Sequence, residues 1–119
     1  MMNIETGLGK TLTALENIEK GIFVNYLGNV AVNGGIARGV AAYNASANQE
    51  VMIYTNNEAS VLAGSDFQLN NDGYLELTGD NVGKSVPALS GDFVNAIALE
   101  NGVLNNFVKV EVVAVPYIK

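Results

Sequence analysis

Cysteine, histidine and tryptophan are all missing from this 119-residue chain. Without cysteine there is neither a disulfide framework nor a thiolate metal site. Without histidine the chain lacks the side chain whose ordinary pKa lies near neutrality, and it lacks imidazole ligands. Catalysis would fall to carboxylates, Lys, Ser, Thr or Tyr, so the expectation is a protein that is not an enzyme and needs no metal or cofactor. Cations are scarce as well: Lys10, Lys20, Arg38, Lys84, Lys109 and Lys119 stand singly against 12 acidic residues, for a net charge of −6. Nucleic-acid binding draws its affinity from clustered Lys and Arg, so DNA and RNA are disfavoured partners. No segment approaches the 18 or so apolar residues of a membrane span, and Met1 to Glu5 has no basic region before an apolar run. No membrane is expected as a partner, and the chain reads as unprocessed and cytosolic at synthesis.

What the chain has is apolar spacing that returns. Val40-Ala41-Ala42-Tyr43-Asn44 is followed by Val51-Met52-Ile53-Tyr54, and fifty-seven residues on, Ile97-Ala98-Leu99-Glu100-Asn101 is followed by Val108-Lys109-Val110-Glu111-Val112. Gly91 stands to Ile97 as Gly34 stands to Val40. Each copy reads as strand, polar loop, strand, which makes Val40, Val51 and Ile53 candidate core equivalents of Ile97, Val108 and Val110. A weaker echo sets Phe23 to Val32 against Phe67 to Leu77. The fold class expected is all-β, a small barrel or sandwich with an internal duplication, in one domain over residues 11–119 behind an extended N-terminal arm, 1–10. Gly7 and Gly9 would weaken a helix or a strand in that arm, and its only sizeable aliphatics are Ile4 and Leu8.

In order, the spacing predicts a strand within Leu12 to Glu19 with a turn at Glu16-Asn17, then strands at Ile22 to Tyr26 and Val30 to Val32. A turn follows at Asn33-Gly34-Gly35, then a strand at Ile36 to Ala42, a loop from Tyr43 to Gln49 and a strand at Glu50 to Thr55. Asn56-Asn57-Glu58 is expected to cap a helical turn through Val61-Leu62. Phe67 to Leu69 and Tyr74 to Thr78 read as a hairpin about Asp72-Gly73, because Asp-Gly favours the positive φ of tight turns. Thr78 to Pro87 reads as irregular, Phe93 to Leu99 as a strand, and Phe107 to Val115 as a last strand stopped by Pro116.

Four motifs invite chemistry. Gly7-Leu8-Gly9-Lys10-Thr11 resembles the end of a phosphate-binding loop, but the first glycine of that pattern would fall at Ile4. Asn70, Asp72, Gly73 and Glu76 suggest a calcium loop, yet with Gly73 sixth the first ligand is Gln68 and the twelfth is Gly79, so the closing carboxylate is absent. Asp66, Asp72, Asp80 and Asp92 sit in or beside turns and read as solvated turn residues. Tyr26, Tyr43, Tyr54, Tyr74 and Phe67 suit a stacking surface for sugar or base, or cross-strand packing.

The order of signals in Ile18 to Val32, then Ala37-Arg38-Gly39-Val40-Ala41, Ala63-Gly64-Ser65-Asp66-Phe67 with Asp72-Gly73-Tyr74-Leu75, and Asn95 to Glu100 followed by Val108 to Val112, resembles the small capsid decoration, or cement, proteins of tailed bacteriophages. That resemblance implies a virion structural protein that binds the outside of the capsid, with the major capsid protein as partner, a homotrimer, and a place on the capsid surface after assembly in the host cytoplasm. It makes Ile4, Leu8, Asn33, Asn44 and Asn101 candidate capsid or subunit contacts. Other readings compatible with the residues are a head-fibre base or tail component, and a carbohydrate-binding β module.

Overall fold

The computed structural model describes residues 9–119. Nine strands form two antiparallel sheets. The first contains β1 (Lys10–Thr13), β2 (Phe23–Val24), β3 (Gly39–Ala41) and β4 (Glu50–Tyr54), in the order β1-β4-β3-β2. The second contains β5 (Glu58–Leu62), β6 (Leu75–Gly79), β7 (Ser85–Pro87), β8 (Phe93–Ala98) and β9 (Phe107–Ile118), in the order β5-β9-β8-β6-β7. The all-β expectation holds: no helix is present among the described residues, and two antiparallel sheets pack together, with β5 and β7 at the edges of the second and the parallel bridge of Ala63 to Ser85 between those edges.

The duplication is built into the pairing. Val40 pairs with Tyr54 and Ala41 with Ile53, while Ile97 pairs with Glu111 and Ala98 with Val110, so a shift of fifty-seven carries one hairpin register onto the other. Lys10 pairs with Ile53 and Ala59 with Val110, which brings β1 onto β5 with a shift of forty-nine. The difference of eight is shared by two longer links in the second half: Phe67 to Glu76 is four residues longer than Ile18 to Phe23 and holds the Asn70 turn, and Glu76 to Ile97 is four longer than Phe23 to Val40 and holds β7. Four strands of the second sheet therefore repeat the order of the first, and β7 is the addition. The loop hydrogen bonds repeat as well. Ala14 N–H donates to Gln49 O at 2.8 Å and Ala63 N–H to Asn106 O at 2.9 Å; Ala47 N–H donates to Asn17 Oδ1 at 3.0 Å and Leu104 N–H to Asp66 Oδ1 at 2.8 Å.

One cluster of buried side chains (Ala14, Ile18, Ile22, Val24, Ala41, Ala45, Val51, Ile53) belongs to the first half. The other joins the halves, with Phe23, Ala37 and Val40 packed among Val61, Phe67, Leu77, Val108, Val110 and Val112. Five of the six predicted core positions are fully buried or nearly so, but Ile97 is only half-buried and points to the outer face of β8, where Ala96 and Ala98 take the inner positions.

Several expectations are corrected. Residues 57–62 carry no helical turn; Ala59 and Val61 face the core on one side of β5, and pairing with β9 fixes them as a strand. Thr78 to Pro87 is a β6–β7 hairpin around Asp80, whose Oδ1 accepts Val82 N–H and Lys84 N–H. Pro87 is tolerated because β7 is an edge strand whose outer side is bridged to Ala63 at Ser85 and not at Pro87. Pro116 does not stop β9: Val113 to Pro116 stand opposite Asn95 alone in a wide register break, where no ladder donor is required. Val30 to Val32 forms one bridge, Val24 to Val30, and no strand. The strand placed within Leu12 to Glu19 instead spans Lys10–Thr13, so Lys10 belongs to β1 and not to an arm. The Asp72-Gly73 turn forms, with Gly73 at φ 87°, but Phe67 pairs across to Gly102 and not to the strand after the turn.

Candidate docking surfaces

Ile4 and Leu8 lie outside the described residues. Asn33, Asn44 and Asn101 are all exposed, and each fixes a loop. Asn33 takes φ 54°, and its N–H donates to Asp80 O of the other half at 2.8 Å. Asn44 Oδ1 accepts Lys20 N–H at 2.8 Å, and Asn101 Oδ1 accepts Leu69 N–H at 2.9 Å, the same staple in each half. Among the described residues no hydrogen bond joins the three.

The residues that suggested chemistry are likewise occupied. Gly9 is buried and leads into β1, so Lys10 and Thr11 sit on a strand and not at a helix N-terminus. Asn70 Oδ1 accepts Asp72 N–H and Tyr74 N–H; Asp66 holds Leu104 N–H and Asp92 holds Leu89 N–H. These side chains shape turns by accepting local backbone donors.

One concavity runs between the two halves. It encloses about 480 Å³ and is lined by Lys20, Ala41, Ala42, Tyr54, Glu58, Ala59, Ser60 and Phe107. Lys20 Nζ lies 5.7 Å from the Phe107 ring centroid, at the end of β5 where Leu62 pairs with Phe107. At the other end, Glu58 pairs directly with Glu111, placing two carboxylates side by side on the outer face. A second hollow, of about 530 Å³, is lined by Glu16, Asn17, Glu19, Ile22, Val30, Val32, Asn81 and Val82.

The third surface is the distal part of β9, where Val115 is 80% exposed beside Tyr117 and Ile118. Tyr117 Oη donates to Glu76 Oε2 at 2.6 Å, and Lys119 Nζ lies 3.5 Å from Glu76 Oε1. Partial burial, the hydrogen bond to Glu76 and the charge of Glu76 together raise the Tyr117 pKa to about 12.

The sequence hides the groove residues because the start of β5 resembles a capped helical turn. The usable signal is the alternation in Glu58-Ala59-Ser60-Val61-Leu62, which puts Ala59 and Val61 on one face.

No family model matches the sequence, and no curated protein is significantly similar to it. Among solved structures, the fold is similar to the crystal structure of the head fiber gp8.5 N base of bacteriophage phi29. The TM-score is 0.72 at 20% sequence identity, over 94% of this chain and 98% of that one. This likeness extends to the whole two-sheet architecture and shows the fold.

Proposed function

We propose that the chain is a non-catalytic structural subunit of a phage virion, seated on the outer surface of the head as the base of a head-attached fibre or decoration. The observation that carries this reading is the near end-to-end likeness to a head fibre base. It agrees with the chain's chemistry: turn carboxylates occupied by backbone donors, no histidine or cysteine, and an acidic surface that keeps a many-copy protein soluble. The partners would be the major capsid protein and two further copies of this chain. A fibre base is favoured over a cement protein by the identity of the structural neighbour.

The test mixes purified chain with expanded heads that lack it. Co-sedimentation at saturable stoichiometry is expected, together with a solution mass three times the 12.5 kDa of the chain. Failure to bind heads at micromolar concentration, or substrate turnover abolished by replacing a single carboxylate, would overturn the reading.

A further inference from the structure

We propose that the open edge of β5, with the groove beside it, accepts an extended polypeptide segment as an added strand and selects one carrying a basic side chain. The edge is identified by hydrogen-bond direction. Leu62 N–H points away from β9 and donates to Gly21 O at 2.8 Å. On β9, Lys109 donates to Glu100 Oε2 and its carbonyl accepts Leu99 N–H, so Lys109 faces β8 and cannot exchange backbone bonds with Ser60 opposite. Residues of an antiparallel strand point their N–H and C=O to the same side in alternation. The backbone groups of Glu58 and Ser60 therefore face the groove, both residues are exposed, and no described residue pairs with those groups. Unpaired strand edges recognise other strands, because main-chain donors and acceptors at strand spacing are met by another extended backbone.

The surroundings say which kind. Glu58 and Glu111 are directly opposed across the ladder, an arrangement of like charge that destabilises a strand pair and that a cation on the added strand would relieve. The next position on that strand faces Ala59, Ala41, Ala42 and Tyr54, a small apolar space suited to Val or Ile. A second copy pairing through its own β5 would bring more carboxylates to the same place, so self-association is disfavoured and a basic, apolar-alternating segment is favoured. Nothing in this chemistry depends on a phage head; the groove is tested on the isolated chain, and head binding is scored separately.

The probe is an acetylated, amidated ten-residue peptide of alternating Thr and Val with one central Thr replaced by Lys, compared with the same peptide carrying Glu there. Saturable amide shifts and slowed hydrogen exchange at Glu58 and Ser60 are expected, with the Glu peptide about tenfold weaker or worse. Ser60→Pro removes an outward N–H without breaking the ladder, so binding should fall about tenfold while the melting midpoint holds. Should that variant not fold, Glu58→Lys probes the same edge and should reverse the preference between the two peptides. Equal binding of both peptides, shifts confined to another surface, no binding at millimolar peptide, or dimerisation through β5 in place of peptide binding would each overturn the proposal.

Discussion

Phe67 and Gly102 are joined by two reciprocal backbone hydrogen bonds of 3.1 and 2.9 Å, in the place that Ile18 and Ala45 hold in the first half with bonds of 2.8 and 2.9 Å. The larger side chain on one strand is matched by the loss of a methyl on the other. A Cβ built on Gly102 would run into the Phe67 ring. The two halves thus keep one bridge and fill it with different volumes.

Gly102→Ala should therefore destabilise the protein by about 1 to 3 kcal/mol through overpacking. Adding Phe67→Ile, which copies the first half's pairing, should recover most of that loss. Chemical denaturation of the two single variants and the double variant measures the coupling; additive effects would mean that the ring and the glycine do not share the space.

Asn95 is buried across the junction of the halves, its Oδ1 accepting Ala37 N–H and its Nδ2 donating to Gly35 O, both at 3.0 Å. Replacing it by Ala strands a buried donor, Ala37 N–H, and a partly buried acceptor, Gly35 O. Asn95→Ala should cost about 2 to 4 kcal/mol by the same denaturation measurement, the cost of one unpaired buried donor together with a partly buried acceptor. Asn44→Ala, whose hydrogen bond lies at the surface, should cost less than about 1.5 kcal/mol.

These elements are legible in the sequence to different degrees. The shift of fifty-seven shows because Val51, Ile53, Val108 and Val110 all alternate toward a core, and a two-residue period survives any change on the outer face. The shift of forty-nine is hidden: Asn17 corresponds to Asp66 and Ile18 to Phe67, exchanges that keep a hydrogen bond or a buried contact while changing the letters. The echo of Phe23 in Phe67 is misleading, since pairing to Val40 and Ile97 sets Phe23 against Glu76. Strand β5 resembles a helix start because Asn56 and Asn57, just before it, are good helix caps, and only β9 alongside decides the matter. The groove shares that fate, being formed by β5 and by residues of the other half.

Tyr117 should titrate late, its pKa pushed up by burial and by Glu76. Its folded pKa is raised to about 12 from the ordinary 10, so between those values the unfolded chain loses the proton that the folded chain keeps. Its contribution to stability is thus fully present below pH about 10 and is lost as pH rises through about 12. Absorbance of phenolate against pH should show one late step, removed by Tyr117→Phe and moved down by Glu76→Gln. A late step that Glu76→Gln leaves in place would contradict the Glu76 contact.

Neither half should fold alone, despite the repeated topology. Phe23 and Val40 of the first half are buried in a cluster built mainly by the second, and the halves exchange backbone bonds from Phe23 to Gly83, Asn33 to Asp80, Gly34 to Gly79, Phe93 to Gly34 and Leu62 to Gly21. A fragment of 1–56 would expose Phe23 and Val40 and leave those partners to water, and at that length the buried fraction of surface is already marginal. Fragments 1–56 and 57–119 should each give dichroism of an unfolded chain. Mixed at equal concentration they should regain strand signal, because the pairing across the junction needs no covalent link between Asn56 and Asn57. A first-half fragment with a cooperative melting transition of its own would show that its cluster of Ile18, Ile22, Val51 and Ile53 suffices, and the junction would then be docking between two finished units.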